Sequence, residues 1–441
     1  MHYARCLRFR YLQIHLAWNG GKLMKLHILS KPLNGEIAAI SSKSDAHRAL
    51  ICAALSDNDT TLKIDNTSRD IEATISCIEA LGGKVTQNGS FFHVTPIKRG
   101  TPSPTLDCHE SGSTLRFLFP LANLVSINPT FIGRGRLPER PLSPLREEME
   151  KNGVKIEGEK LPITTKGKLL GGTYQLAGNI SSQFISGLLF ALPLCETDSK
   201  IVLTTPLESK GYVEMTLSTL KQFGIEIEQG NDEYIIKGNQ KYTSPKTLTI
   251  EGDWSNAAFW LCGGAISGEI KCTGLNHNSN QGDKQIISVL EKFGAEVIKN
   301  SNDVTIKKAD LKAIKLDCTD IPDLVPIISA VASVAEGTTH LTGLERLRIK
   351  ESDRLSAVYD TLINLGADAK ISDNSLIITG KKELSGGNAH GYNDHRMVMM
   401  ASILASRCKD GVKITDCEAV NKSYPDFFEH LKKLGGAFYV I

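Results

Sequence analysis

Six times along this chain, apolar residues recur at helical spacing, stop at a glycine, and give way to alternating apolar and polar positions. The stops are Ala80-Leu81-Gly82, Lys151-Asn152-Gly153, Gln222-Phe223-Gly224, Lys292-Phe293-Gly294, Asn364-Leu365-Gly366 and Lys433-Leu434-Gly435, and their glycines lie 71, 71, 70, 72 and 69 residues apart. Self-similarity at a fixed period marks a chain assembled from copies of one supersecondary unit. Each glycine predicts a helix that ends in the left-handed region, where a residue without Cβ sits most easily. The alternation that follows predicts a strand, a polar turn and a second strand, as at Ile225–Ile227, Gly230-Asn231-Asp232 and Tyr234–Ile236.

A second helix recurs in the same phase. Its predicted starts are Ser44-Asp45-Ala46, Ser111-Gly112-Ser113, Ser181-Ser182-Gln183, Asp253-Trp254-Ser255, Asp320-Ile321-Pro322 and Asn393-Asp394-His395. Each offers a Ser, Asp or Asn as N-cap before an apolar run such as Phe184–Leu192 or Met397–Leu404. The runs are apolar enough to be buried, which predicts helices inside and sheets outside. Six units divide into two domains of three. If these helices point the same way in each domain, their N-termini converge and two such faces form a cleft rich in unpaired N–H groups, an anion site before any side chain is counted.

Composition narrows the classes. The chain has 441 residues with a net charge of +2, so no strong overall field favours nucleic acid or a membrane surface. Aromatic content of 6% leaves few residues on which bases could stack. The 10 cysteines are scattered, with no Cys-x-x-Cys pair, which predicts buried thiols in a reduced, cytoplasmic setting. No apolar run approaches the ~20 residues that span a bilayer. Residues 1–23 carry Arg5, Arg8, Arg10 and Lys22 and no acid, with no signal-peptide core. They are expected to be an extra, non-native segment, with Met24 as the native start.

The candidate chemistry sits at the predicted helix starts. Arg348–Arg354 reads Arg-Ile-Lys-Glu-Ser-Asp-Arg and opens an apolar pattern at Leu355, Val358, Leu362 and Leu365. On a helix, Lys350 and Arg354 share a face and Glu351 reaches the same side. Two cations and a carboxylate there suit an anionic substrate that also needs a proton moved. Taken alone, the same residues could be a solvated helix end. Lys43 and Ser44 precede Arg48 by one turn. Gly112 sits in a hydroxyl-rich turn where a ligand can approach the backbone. Arg140 closes a loop with Arg134 and Arg136. Ser181, Ser182 and Gln183 supply two hydroxyls and an amide, and Ser209 precedes Tyr212 in another polar turn. Asp323 is a candidate base, Arg396 a further helix-start arginine, and Lys422 a last lysine. Arginine suits bidentate binding of carboxylate or phosphate, so the ligand set inferred is multiply anionic.

In this order, Ser-Lys-Ser…Arg, Ser-Gly-Ser-Thr-Leu-Arg, Glu-Arg-Pro, Ser-Ser-Gln-Phe, Ser-Lys-x-Tyr, Ile-Pro-Asp, Arg-x-Lys-Glu-Ser-Asp-Arg and Asn-Asp-His-Arg resemble the 5-enolpyruvylshikimate-3-phosphate synthase family from about Met24 to the C-terminus. The resemblance implies an α/β (α+β) fold of two inverse α/β barrels (α/β prisms) built from six βαβαββ repeats. The domains would be 24–41 plus 251–441 (discontinuous) and 42–250 (inserted), with the active site between them. The implied reaction moves the enolpyruvyl group of phosphoenolpyruvate to the 5-hydroxyl of shikimate 3-phosphate and releases phosphate, as a step of the shikimate pathway. No metal or organic cofactor is implied, and the expected assembly is a monomer.

By the same resemblance, Lys43, Ser44, Arg48, Ser181, Ser182, Gln183, Ser209, Tyr212, Asp323 and Lys350 would bind shikimate 3-phosphate. Lys43, Gly112, Arg140, Gln183, Arg354, Arg396 and Lys422 would bind phosphoenolpyruvate. Asp323 would take the 5-hydroxyl proton, and Glu351 with Lys43 would serve protonation of the methylene carbon and its reversal. Five positions depart from the family pattern: Ile40-Ser41 for Pro-Gly, Ala46 for serine, Ser113 for threonine, and Arg346 where an asparagine often touches substrate. A UDP-N-acetylglucosamine enolpyruvyl transferase, or a repeat-built nucleic-acid-binding protein, are the alternative readings. The paired serines favour a small phosphorylated acceptor over a nucleotide sugar.

Overall fold

The computed structural model describes residues 24–441. The expected extra segment 1–23, and with it the expectation about Met24, lies outside the described residues. Among these, twelve α-helices follow one another: α1 (Lys43–Leu55), α2 (Arg69–Ala80), α3 (Gly112–Val125), α4 (Leu145–Lys151), α5 (Ser182–Ala191), α6 (Lys210–Gln222), α7 (Trp254–Ser267), α8 (Ile286–Phe293), α9 (Val325–Ala332), α10 (Arg354–Asn364), α11 (His395–Leu404) and α12 (Phe427–Lys433). The odd-numbered helices are the buried ones. Every residue of α11 is buried, and every residue of α7 except Ser255. The even-numbered helices are one-faced: α8 buries Ile286, Ile287, Val289, Leu290 and Phe293, the spacing of an amphipathic helix against a core. All six predicted terminal glycines have positive φ, from 76° at Gly224 to 97° at Gly82.

Four buried helices begin at the expected caps. Ser111, Ser181, Asp253 and Asp394 each accept a backbone N–H from the first turn of α3, α5, α7 and α11. Two starts differ from the sequence expectation. The cap of α1 is Ser42, which accepts from Asp45 N, so Ser44 lies inside the first turn with its hydroxyl not used as a cap. At Asp320-Ile321-Pro322 no side chain caps at all: Pro322–Leu324 form a 3-10 turn that runs into α9. Proline has no N–H to satisfy, so this turn begins with one donor fewer to cap. The strand pair expected around Gly230 is Ile227–Gln229 with Glu233–Ile236.

Six four-stranded sheets accompany the helices and share one pattern. The first strand runs parallel to the second, and the third and fourth follow antiparallel. Strands alternate as a half-buried sheet requires; Glu269–Thr273 buries Ile270 and Cys272 and turns the rest outward. Three sheets take a strand from far away in sequence. Leu26–Ile28 enters between Val412–Ile414 and Phe438–Val440, Gly35–Ala38 joins Glu269–Thr273, and Thr247–Thr249 joins Thr60–Lys63.

Buried apolar side chains form two clusters, one from residues 26–40 and 254–434, the other from residues 46–250. The chain passes between them twice, side by side: Ser42 N donates to Glu251 O and Asp253 N to Ile40 O, each at 2.8 Å. Among the described residues no helix is long and apolar enough to cross a membrane, and the nine described cysteines are all free and buried.

Candidate active site

A cleft opens between the two clusters, and first-turn residues of the buried helices line it. Lys43 and Ser44 come from α1, Ser113 from α3, Ser182 and Gln183 from α5, and His395 and Arg396 from α11. The wall from the inserted half is made mostly of hydroxyls, an amide and guanidiniums, with one ion pair, Lys43 with Asp70. Helices α3 and α5 touch because position 187 is glycine; a Cβ there would run into the Arg116 carbonyl. That contact sets Gln183 against α3. Its Nε2 donates to Ser113 Oγ at 3.0 Å, and its Oε1 accepts from Arg116 Nη1 at 2.9 Å. Arg116 Nη2 donates to Pro141 O at 3.2 Å. Both Arg116 and Arg140 lie over Gly112, where a Cβ would stand 2.5 Å from Arg140 Nη1 and 2.7 Å from Arg116 Nη1. Burial and the neighbouring Arg140 hold the Arg116 guanidinium well below its usual range, the mark of positive charge without enough counter-charge.

On the same wall Arg48 donates from each of its three nitrogens. Nε donates to Thr216 Oγ1 at 2.9 Å, Nη1 to Ser44 O at 2.6 Å and Nη2 to Tyr212 O at 2.8 Å. It therefore locks the backbone of two cleft residues. Lys43 Nζ lies 2.8 Å from Asp70 Oδ2. Ser209 precedes α6 with φ of 56°, a left-handed conformation rare for a residue with a Cβ, and its Oγ accepts from Arg346 Nη1 at 2.7 Å.

The opposite wall is an ion network centred on Asp323. Its Oδ1 lies 2.7 Å from Arg354 Nη1 and 3.2 Å from Lys350 Nζ; its Oδ2 lies 3.5 Å from Arg396 Nη2 and accepts from Tyr212 OH at 2.6 Å. Burial alone would raise the Asp323 pKa, but Arg396, Lys350, Arg354 and the Tyr212 bond outweigh it and hold the carboxyl well below its usual range. Burial, Asp283 and Asp323 push the Tyr212 phenol up, so it stays a donor. Glu351 Oε2 lies 2.6 Å from Arg354 Nη2. Burial raises its pKa as well, and Arg354, Arg140 and His395 outweigh burial, so Glu351 also rests ionised. Burial pushes the Lys350 ammonium down to about 8, against the pull of Asp323. Beneath them Asp394, fully buried, accepts from Arg354 Nε at 3.0 Å and from Ser352 Oγ at 3.0 Å.

Most sequence candidates meet in this cleft: Lys43, Ser44, Arg48, Arg140, Ser181, Ser182, Gln183, Tyr212, Asp323, Lys350, Glu351 and Arg396 all line it. Gly112 lies under the guanidiniums, Ser209 behind Arg346, and Arg354 below Asp323. Lys422 is set apart: its Nζ is 2.7 Å from Glu110 Oε2, a residue of the other half, and donates to Asn393 O at 2.5 Å. One sequence argument is corrected. Lys350 and Arg354 do not share a helical face, because Glu345–Ile349 form a 3-10 turn and Asp353 caps α10 only at Arg354. They converge on Asp323 through the turn instead.

Three residues were missed: Arg116, Asp394 and His395. Arg116 lines the cleft, as does Arg346, which the sequence marked only as a departure from the family pattern, and Asp394 orients Arg354. His395 also lines it, with neither ring nitrogen hydrogen-bonded, and burial, Lys43 and Arg396 push its pKa well below the usual range. The signal for His395 was present in Asn-Asp-His-Arg, where only the arginine was read as a ligand.

This fold is that of the enolpyruvyl transferases. The structure superposes on an EPSP synthase from Acinetobacter baumannii with a TM-score of 0.80 at 24% identity, covering 95% of this chain and 100% of that one. It superposes on the enolpyruvyl transferase NikO from Streptomyces tendae with a TM-score of 0.76 at 14% identity, covering 95% and 99%. The profile of EPSP synthase (3-phosphoshikimate 1-carboxyvinyltransferase) matches residues 29–431. A 3-phosphoshikimate 1-carboxyvinyltransferase of Clostridium perfringens is 44% identical over 94% of this chain and 99% of its own length. One of Clostridium acetobutylicum is 45% identical over 92% and 96%. The chain belongs to the EPSP synthase family.

Proposed function

We infer that this chain is the transferase its family name describes: it joins the enolpyruvyl group of phosphoenolpyruvate to the 5-hydroxyl of shikimate 3-phosphate and releases phosphate. The observation that carries this reading is Asp323, a carboxylate kept ionised by Arg396, Lys350 and Arg354 and hydrogen-bonded by Tyr212, across a cleft from serines and guanidiniums. An ionised carboxylate beside anion-binding groups can take a hydroxyl proton as that hydroxyl attacks. The six matching sheets support reading the fold as six βαβαββ units, three per domain, with domains at 24–41 plus 251–441 and at 42–250. The active site then lies where the helix N-termini of both domains meet.

In this reading Ser44, Ser181, Ser182, Ser209 and Lys350 take the phosphate of the acceptor, with Tyr212 at its ring. Arg48 acts through the Ser44 and Tyr212 carbonyls it holds. Arg140, Gln183, Arg354, Arg396 and Lys422 receive phosphoenolpyruvate, over Gly112. As the oxygen bonds to C2 of the enol, a proton must reach the methylene carbon; in the second half it leaves again as the C–O bond to phosphate breaks. Glu351 rests ionised, which suits removal of that proton. Lys43, on the facing wall, is then the donor for the first half. Donors fixed in advance around both anions stabilise the charge that shifts onto the departing phosphate.

Phosphate release from purified protein tests the reading. Release from phosphoenolpyruvate should require shikimate 3-phosphate. Release supported by UDP-N-acetylglucosamine instead would replace the acceptor and keep the fold.

A further inference from the structure

Most cations around the cleft are committed. Lys350, Arg354 and Arg396 share Asp323, Lys43 is paired with Asp70, and Lys422 with Glu110. Arg48 donates from all three nitrogens to protein oxygens; Arg116 donates from both terminal ones, although its Nε is buried without an acceptor. Two guanidiniums differ. Arg140 has Nε buried without an acceptor and, in the reading above, faces the donor substrate. Arg346 lies across the cleft, beside the serines.

Arg346 rises from the 3-10 turn Glu345–Ile349 of the discontinuous half and reaches the inserted half. Its only hydrogen bond among the described residues runs from Nη1 to Ser209 Oγ, at 2.7 Å. Nε is buried without an acceptor; the nearest carboxylate oxygen, Glu208 Oε2, is 4.0 Å away, beyond hydrogen-bonding distance. The side chain is only 10% exposed. A guanidinium taken this far out of water, with one neutral hydroxyl as its hydrogen-bond partner and its carboxylate neighbour at the outer limit of an ion pair, is under-satisfied; burial lowers its pKa against the pull of Glu208. By the resemblance, it stands where an asparagine often touches substrate. An oxyanion entering beside Ser209 would complete its hydrogen bonding, because a planar fork can hold a hydroxyl with one nitrogen and a phosphate oxygen with another.

We propose that Arg346 is a further ligand of the acceptor's phosphate, standing with Ser209, and that it strengthens the selection of a phosphorylated over an unphosphorylated acceptor. The proposal rests on the reading of the cleft as a shikimate 3-phosphate site. Because Arg346 and Ser209 belong to opposite halves, the same phosphate would join the two walls.

The test is the ratio of kcat/KM for shikimate 3-phosphate to that for shikimate, in the wild-type chain, Arg346→Lys and Arg346→Gln. Glutamine can still donate to Ser209 and carries no charge. The ratio should fall about tenfold or more in Arg346→Gln, the worth of one charge-assisted hydrogen bond, and by less in Arg346→Lys. Equal losses with both acceptors, or no loss with either, would make Arg346 a purely structural link and overturn the proposal. A wild-type chain that does not prefer the phosphorylated acceptor would instead overturn the reading of the cleft, and the role of Arg346 with it.

Discussion

The two walls of the cleft solve the same problem by different means. The inserted half offers neutral groups: Ser44, Ser113, Ser181, Ser182 and Gln183 at helix starts, with Arg48 and Arg116 tied to carbonyls, hydroxyls and an amide. The discontinuous half offers a mesh of full charges, in which Asp323 alone meets Arg354, Lys350 and Arg396. Neutral donors on a helix N-terminus bind an anion at little desolvation cost and do not titrate. Buried charges can move protons, but each depends on its partners, and losing one partner strands the others. Apart from the Lys43–Asp70 pair, the first wall is thus mostly a binding surface, while the carboxylates and the larger ion network, with their sensitivity to pH, concentrate in the other.

Three perturbations probe that difference, beginning with the largest. Asp323→Asn keeps the shape of the group the mesh is built around and removes its basicity and charge. Turnover should fall by about 10² to 10⁴, and the melting temperature should drop too, because three cations lose their shared carboxylate. Steady-state rates on protein shown to be folded check this, and near-normal turnover would remove Asp323 from the mechanism. The second perturbation is pH. The Lys350 ammonium is pushed down to about 8 from 10.5, so above pH 8 the folded chain loses a proton that the unfolded chain keeps. Stability from this group therefore rises with pH across that window, whereas kcat/KM for the acceptor should fall, by about tenfold near pH 9. Lys350→Arg should abolish that inflection; its persistence would assign the titration elsewhere. The smallest effect belongs to the neutral wall. Gly112→Ala places a Cβ against the guanidinium ends of Arg140 and Arg116, which must move aside, so the KM for phosphoenolpyruvate should rise by roughly threefold to tenfold with acceptor affinity nearly unchanged. A matching loss for both substrates would mean that the two substrate sites are not separated as drawn.

Local signals carried much of this molecule. A glycine at a helix end, a Ser or Asp before an apolar run, and a change of apolar period are written in adjacent residues, and Gly82, Gly224, Ser111 and Asp394 behave as those rules require. The cap at Ser42 and the uncapped turn at Pro322 escaped because several cap-forming residues stand together and only the final backbone path selects among them. Part of the site was legible for the same reason: Lys43, Ser44, Ser182, Gln183 and Arg396 sit in the first turn of a helix whose start the pattern marks, whereas Arg140, Lys350, Glu351 and Lys422 lie in turns.

What the sequence determined by itself was therefore the period, most helix ends and the set of groups available to the cleft. Tertiary structure decided how those groups are paired. Nothing local says that Arg354 and Lys350 meet on Asp323, that Asp394 holds Arg354 from below, that Lys422 reaches Glu110, or that the Arg346 side chain is left with one hydrogen bond, to Ser209. Those contacts join residues from about 30 to more than 300 positions apart, and they exist only because two hydrophobic clusters bring their helix N-termini face to face. Charge strength and pKa depend on such distances and on burial rather than on residue type, so the chemistry of the site is a property of the assembled cleft.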